Sequence, residues 1–477
     1  MTRVPVGSNR RATIAIALLL VLVSGCAPRT KYAAPAVETP ATFKENANWK
    51  AAQPSDAVAR GSWWELLGDA DLNALERRID ISNQTLKGAE ARFAEARALV
   101  RGNHSRLYPT VDATPAIART QPSRNRAIGG IAGRYADIVL PVDASYEADV
   151  WGRIRGTLAV SRLSAQATAA DLEAARLSIH AELAVDYFSM RGIDGERQLL
   201  ASAVDAFEKA LELTQNRFRG GIASQADVAL AETQLEATRA QAVDIEVERA
   251  ALEHAIAVLV GQPASTFALA TRPLDTTPPD VPAAVPSVLL ERRPDIAAGE
   301  RRVAAANAQV GVATAAFFPV LTLSAAAGFE SSTFGNVLAG ASSFWTLGPA
   351  LAVNAFDAGR RRAAADQARA AYDEAAAAYR ESVLAAFREV EDQLAAVRIL
   401  SQEADIQNRA VDAAQRSLLQ ANNRYRGGLV SYLEVTSAQS VALANERAAV
   451  GILTRRLTAS VLLLKGLGGG WAATSAP

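Results

Sequence analysis

Two apolar periods succeed each other along this chain, and each occurs twice. Between Tyr135 and Val150 the residues Ile138, Leu140, Val142, Ala144, Tyr146, Ala148 and Val150 alternate with Asp137, Asp143, Ser145, Glu147 and Asp149. Such alternation predicts a strand with one apolar and one acidic face. Phe344 to Phe356 repeats it more weakly, with Trp345, Leu347, Leu351, Val353 and Ala355 on one face and Thr346, Gly348 and Asn354 on the other. Val111 to Thr120 and Val320 to Glu330 supply partners across Gly/Ser/Asn-rich loops, which gives two β-hairpins. After each hairpin the period lengthens. Ala368, Tyr372, Ala376, Tyr379, Val383, Phe387, Val390, Leu394 and Val397 follow steps of three and four, a stripe that packs a helix on its neighbours. The proline-free runs Val142–Gln262 and Ala350–Ala476 are rich in Ala, Leu, Glu, Gln and Arg, all good helix formers. Gly156 to Arg217 as one helix would measure roughly 90 Å at about 1.5 Å per residue.

The two halves are copies. Asn216-Arg217-Phe218-Arg219-Gly220-Gly221 returns as Asn423-Arg424-Tyr425-Arg426-Gly427-Gly428, a shift from position 216 to position 423. Gly152-Arg153 and Gly359-Arg360, which follow the hairpins, show the same shift. Gly-Gly between two helical patterns reads as a tight reversal, so each copy carries a helical hairpin, with return helices over about Gln225–Val260 and Tyr432–Leu467. An earlier helix, about Asp71–Leu107, stops at Tyr108-Pro109, where proline disfavours helix for the residue before it. Pro319 answers Pro109 after a helix that opens with Leu290-Glu291-Arg292-Arg293-Pro294-Asp295-Ile296. The expected divisions are a leader (1–25), a tether (26–60), a first repeat (61–261, with β-hairpin 110–150 and helical hairpin 153–261) and a proline-rich linker (262–288). A second repeat (289–470, with β-hairpin 320–357 and helical hairpin 359–467) and a tail (471–477) complete the chain.

Charge and composition narrow the class. Fifty basic residues balance fifty acidic ones, which argues against a nucleic-acid binder. The histidines His104, His180 and His254 have no metal-ligand spacing, and there is no phosphate loop, nucleophile elbow or CxxC, so neither a catalyst nor a metal or other cofactor is expected. Arg3, Arg10 and Arg11 precede the apolar run Ala12–Val23, which has the shape of a signal peptide. It ends in Leu22-Val23-Ser24-Gly25-Cys26, the bacterial lipobox pattern, with the chain's single cysteine where cleavage would expose a thiol for lipid attachment. Ala27 follows, not an Asp of the kind associated with inner-membrane retention, so the resemblance to lipoprotein signals favours the outer membrane, and Pro28, Pro35, Pro40 and Pro54 mark an extended tether. Four strands cannot close a barrel, since lipid leaves an open edge unpaired and single barrels start at about eight strands. Three chains would supply about twelve, and the long helices would continue that cylinder as a conduit.

Cys26, Arg293-Pro294-Asp295, the two Arg-x-Gly-Gly turns, the two Gly-Arg junctions and the ending Leu467-Gly468-Gly469-Gly470-Trp471 together resemble the TolC-like outer membrane factor family in its NodT-type lipoprotein branch. The resemblance implies a mainly α fold with a membrane β-barrel segment, assembled as a homotrimer with a twelve-stranded β-barrel and a periplasmic α-barrel. It also implies a periplasmic adaptor and an inner-membrane transporter of the RND type as partners, outer-membrane lipid as surroundings, and export of drugs or other small molecules. Type I protein secretion and a non-channel, periplasm-spanning structural lipoprotein are the alternatives.

Several residues take roles in that picture. Asp143, Glu147 and Asp149 would face the lumen and favour cations, unless some of them pair with Arg153 or Arg155. Gly220-Gly221-Ile222 and Gly427-Gly428-Leu429 resemble the Gly-aliphatic tips that adaptor hairpins grasp, although Gly220 and Gly427 would equally serve just to end helices. Relatives place acidic gate residues six and nine positions after the turn glycine, here Glu434 and Ser437, and Ser440 stands where many lipoprotein members have Arg. Glu434 would form a single acidic ring and Leu433 an apolar constriction, while Arg424 and Tyr425 hold neighbouring helices, the guanidinium reaching a carboxylate such as Asp227. The plain alternative is that Asp227 and Glu434 are solvated helix-start carboxylates favoured by the dipole.

Overall fold

The computed structural model describes residues 32–36, 61–123, 133–279 and 293–469. Cys26 with its leader, Pro282 and Pro286 of the linker, Leu290-Glu291-Arg292 and the Gly470-Trp471 end lie outside the described residues. The described chain falls into two compact units.

One unit gathers Phe93–Thr168 and Gly299–Tyr379 and contains the sheet. Strands β1 (Thr110–Ala113) and β2 (Ala116–Thr120) both pair antiparallel with β3 (Tyr135–Ala148). Their register is continuous, with Thr110 opposite Ser145 and Ala116 opposite Val139, so they are one interrupted strand where the sequence predicted a continuous one over 111–120. The interruption falls at Thr114-Pro115, and Pro115 has no N–H to give to the ladder. Strands β4 (Val320–Ser331) and β5 (Ser343–Ala352) form the second hairpin. The hairpins are joined through β3 and β4, which run antiparallel with Asp143 opposite Ala326. This leaves β1/β2 and β5 as the outer strands. Register sorts the side chains cleanly: Asp112, Asp143, Ser145, Glu147, Thr322, Ser324, Ala326 and Thr346 share one face, and Val111, Val142, Tyr146, Leu323, Trp345, Leu347 and Leu351 share the other. The apolar face is bare, with Trp345 80% and Leu347 72% exposed.

At the foot of the sheet Trp151 stacks on Phe318 with ring centroids 4.7 Å apart. Its indole N–H donates to the carbonyl of Pro319 at 2.7 Å. The residues around Pro319 in the second repeat are thus fastened to the Gly-Arg junction of the first.

The other unit includes Ala169–Ala298 and the chain from Arg380. The long helices α3 (Arg153–Arg219) and α6 (Arg360–Arg426) each have 67 residues, and the return helices α4 (Gln225–Leu259) and α7 (Tyr432–Gly466) each have 35. At about 1.5 Å per residue the longer pair measure roughly 100 Å. Equal lengths in both copies are the duplication made visible in space. The second repeat's leading helix, α5, runs Pro294–Ala315 and begins on proline, whose missing N–H is one that a helix start leaves unpaired in any case.

The first repeat's leading helix, expected as one piece from Asp71, is two: α1 (Ala70–Ser82) and α2 (Gln84–Ser105). Asn83 makes the break. Its backbone is extended, its amide oxygen accepts from the Leu86 N–H at 2.9 Å, and its amide nitrogen donates to the Leu259 carbonyl at 2.8 Å. The Ser82 hydroxyl donates to the Val260 carbonyl at 2.6 Å. Two short side chains that compete for backbone hydrogen bonds thus tie this kink to the end of α4. The main core packs Leu183, Tyr187, Phe188 and Met190 of α3 against Trp63, Leu67, Leu72, Ile79, Ile256 and Leu457. Buried charges beside it are paired: Asp194 accepts from Arg191 at 3.1 Å and from Arg249 at 2.8 Å. Arg191 and Arg249 also donate to the carbonyls of Ala270 and Leu269, so the start of the proline-rich linker is fastened to the bundle.

Candidate functional site

The two turns between long and return helices share one backbone. At the first, the Ile222 N–H donates to the Arg217 carbonyl at 2.8 Å and the Gly221 N–H to the Phe218 carbonyl at 2.9 Å. At the second, the Leu429 N–H donates to Arg424 at 3.0 Å and the Gly428 N–H to Tyr425 at 2.9 Å. Both are Schellman motifs, in which a left-handed residue lets the last carbonyls of a helix be satisfied. Gly221 and Gly428 are those residues, each with φ +74°.

Gly220 and Gly427 have no such need. Neither has a positive φ, and a Cβ added to either would meet nothing closer than 3.5 Å. The aliphatic residues stay uncovered, Ile222 70% and Leu429 74% exposed, although each lies beside the glycine that precedes the turn. Each turn therefore presents a flat patch of glycine backbone beside an uncovered aliphatic side chain.

The side chains around the turns differ. In the first, Ser224 and Asp227 form a capping box at the start of α4: the Asp227 N–H donates to the Ser224 hydroxyl at 3.1 Å, and the Ser224 N–H to the Asp227 carboxylate at 2.9 Å. In the second, the equivalent Ser431 makes no side-chain cap bond, and the acid at the Asp227 position, Glu434, accepts from Arg424 at 2.6 Å. The expected reach of Arg424 to Asp227 is thus not made within the chain. Asp227 is committed to its own helix start, as the plain alternative has it, whereas Glu434 is drawn off by Arg424.

Tyr425 is the buried centre of the second turn, 5% exposed. It meets Tyr432 edge-on, with centroids 5.4 Å apart. Its hydroxyl lies 3.3 Å from that of Thr214, which itself donates to Ala210, so Tyr425 is the donor. Arg217, carried by the first turn, stacks 4.5 Å from the Tyr425 ring centroid and donates to its carbonyl at 2.8 Å. Sequence reasoning left Arg217 and Thr214 without roles. Arg217 stands inside the duplicated stretch, which was the available signal, while Thr214 had none. Leu433 is 61% exposed at the start of α7, and the Ser440 hydroxyl reaches Gln234 of α4 at 3.4 Å.

The three acidic residues expected in the lumen separate into different environments. Glu147 is bound twice by Arg153, at 3.0 and 2.5 Å. Asp149 caps α3, accepting from the N–H groups of Ile154 and Arg155, both at 2.9 Å, and from the Arg155 guanidinium at 3.0 Å. Burial works against its ionisation, but these donors outweigh it and hold its pKa below the ordinary carboxylate value. As a free lumen charge Asp149 is therefore corrected, because its charge is spent on the helix start. Asp357 caps α6 with Arg361 in the same manner. Only Asp143 has no arginine partner among the described residues. The Thr114 hydroxyl is 3.5 Å away, and Asp112 stands directly opposite on β1.

Residues 76–262 and 285–469 match the family described as outer membrane efflux protein. The chain belongs to that family. The pyoverdine export outer membrane protein OpmQ of Pseudomonas aeruginosa is 31% identical over 431 residues, covering 88% of this chain and 90% of OpmQ. The toluene efflux pump outer membrane protein TtgC of Pseudomonas putida is 28% identical over 464 residues, covering 97% and 96%. The outer-membrane channel OprN superposes with a TM-score of 0.84 at 29% identity, over 94% of this chain and all of OprN. As a member of the efflux family, the protein has the fold of the TolC-like outer-membrane channels, mainly helical with a β segment. It is an outer-membrane component of an efflux system. No helix among the described residues is long and apolar enough to cross a membrane.

Proposed function

We propose that three copies of this chain, each lipidated on Cys26, close into one channel that a periplasmic adaptor joins to an inner-membrane RND transporter, for the export of small apolar or amphipathic molecules. The observation that carries this reading is the sheet, with one face bare and apolar, the other polar, and outer strands that have no second partner among the described residues. A sheet in lipid must satisfy every backbone group by closing on itself. Pairing β5 of one copy with β1/β2 of the next closes the ring at about twelve strands, turning Trp345, Leu347 and Leu351 to lipid and Asp112 and Asp143 to the lumen. The glycine–aliphatic patches at Gly220-Gly221-Ile222 and Gly427-Gly428-Leu429 serve the adaptor. Close approach needs bare backbone, and the exposed aliphatic side chain supplies an apolar anchor. Arg424, Glu434, Tyr425 and Leu433 form the resting gate.

Planar-bilayer recording on the purified protein, with its mass measured in the same detergent, tests the channel. Uniform conductance steps from a trimer are expected, and a silent monomer would contradict the reading. Because Arg153 and Arg155 neutralise Glu147 and Asp149, Asp112→Asn together with Asp143→Asn is expected to remove most of any cation preference in reversal potential. Cys26→Ala is expected to lose labelled palmitate while trimers still insert, since the hairpins bury far more apolar surface than one anchor. Ile222→Asp or Leu429→Asp should abolish efflux at normal trimer yield, and a loss of trimer would assign these residues to assembly.

A further inference from the structure

Residues 32–36 belong to the tether, and Tyr32 fastens them to the compact unit that holds the sheet. The ring is half-buried, and its hydroxyl faces two acceptors on one residue of α5, the Glu300 carbonyl at 3.4 Å and the Glu300 carboxylate at 3.5 Å. The other carboxylate oxygen of Glu300 is held by Arg301 at 2.5 Å. Tyr372 and Tyr379 of α6, two members of that helix's packing stripe, are close enough to act electrostatically on the Tyr32 hydroxyl. Burial, followed by the Glu300 charge, pushes the Tyr32 pKa up to about 12, so the phenol remains a donor. Burial and the same carboxylate also raise the pKa of Tyr379. Each hydrogen bond is long, yet with the sheltered ring they fix one point of a segment that is otherwise a linker.

This seat stands at a definite distance from the sheet. Glu300 precedes Ala315, the end of α5, by fifteen positions, which at about 1.5 Å per residue is about 22 Å. Tyr372 and Tyr379 follow Arg360, the start of α6, by twelve and nineteen positions, or about 18 and 28 Å. Helix α5 leads through Phe318-Pro319 into β4, and α6 follows β5, so both helices place the seat about 20–25 Å from the foot of the sheet. Tyr32 comes six positions after Cys26. Six residues drawn out fully reach about 20–22 Å. The two lengths match, which leaves the connection from Cys26 to the seat no slack.

We propose that Tyr32, seated on Glu300 beside Tyr372 and Tyr379, turns the tether into a taut strap that holds the lipid-bearing Cys26 at the foot of the sheet and so fixes the depth at which the channel sits in the membrane. The strap rests on the lipidation of Cys26 and on the sheet as the membrane part, both proposed above. Its two ends are unequal. An acyl chain buries far more apolar surface than one half-exposed ring, so a strap made too short lets go at Tyr32 and keeps its lipid. A strap made longer goes slack, and Tyr32 stays in its seat.

Nitration by tetranitromethane in outer membranes, mapped to Tyr32 by mass spectrometry alongside labelled palmitate on Cys26, reads both ends of the strap. In wild type, Tyr32 should be nitrated at least about tenfold more slowly than in the denatured protein, because nitration proceeds through the phenolate that burial suppresses. Deleting Arg29-Thr30-Lys31 removes about 10 Å of reach and should bring Tyr32 to the denatured rate while palmitate stays in place. The same deletion with Cys26→Ala behind a cleavable non-lipoprotein leader should leave Tyr32 protected, since nothing then pulls on the tether. Fast nitration of Tyr32 in wild type would overturn the seat. Protection that persists in the palmitoylated deletion variant would overturn the taut strap, and so would equal exposure with and without the lipid. Absence of palmitate from wild type would remove the lipid reading and the strap with it, whereas Tyr32 protection in that same sample would still report the seat.

Discussion

The two helical turns have the same backbone and use it differently. Each ends a 67-residue helix in a Schellman motif and starts a 35-residue helix from a serine. In the first turn the third residue of the return helix, Asp227, closes a capping box with Ser224, and Phe218 is 41% exposed. In the second, Glu434 leaves its cap for Arg424, and Tyr425, at the position of Phe218, is buried under Arg217. Duplication preserved the hydrogen bonds that any helix end demands. It released the side chains, which spend their bonds on local helix capping in one copy and on contacts between helices in the other. The capping bonds of the first turn stay within its own helix start. The second is held by a few contacts that can be broken without unfolding a helix, which is what a gate requires.

The largest expected contrast lies at the aromatic pair. Tyr425→Ala removes a buried ring together with its contacts to Arg217, Thr214 and Tyr432 and should cost about 3–5 kcal/mol. Phe218→Ala should stay within about 0.5 kcal/mol. Denaturant titration of the two variants measures both, and equal losses would erase the distinction between the turns. Next are the glycines. Gly221→Ala and Gly428→Ala force a side chain into left-handed backbone at about 1–2 kcal/mol, whereas Gly220→Ala and Gly427→Ala should gain about 0.5–1 kcal/mol. If the latter pair also lose efflux in cells, their glycines serve a partner's close approach, and full efflux would make them helix ends only. The smallest contrast is in the caps: Ser224→Ala should cost about 1 kcal/mol and Ser431→Ala close to nothing, because only Ser224 makes a cap bond.

Much of this was legible in the residues. The repeated Arg-x-Gly-Gly located both turns, and the alternation through Tyr135–Val150 gave the sheet its two faces, because both signals are local and periodic. What sequence missed depends on distant partners. Asn83 breaks a helical pattern because the end of α4, some 176 residues away, offers it a carbonyl. Pro115 splits a strand without shifting its register, since β3 continues past the gap. Asp149 looked like one more acid on a polar face, yet it lies one residue past β3 and caps α3 instead. Arg217 repeats Arg424 in sequence, but its partner is an aromatic ring in the other copy.

The central claim is that contacts around the second turn hold the channel shut. The Arg424–Glu434 pair is half exposed, with side chains 53% and 43% accessible, so its loss should cost at most about 1 kcal/mol of stability. The Tyr425 hydroxyl gives one hydrogen bond to Thr214. Resting single-channel conductance of the Arg424→Ala/Tyr425→Phe trimer tests the claim most directly. The account expects a conductance well above wild type at nearly unchanged trimer stability, with vancomycin sensitivity in cells rising in step. Wild-type conductance in this variant would contradict it and move the closure to the apolar ring at Leu433.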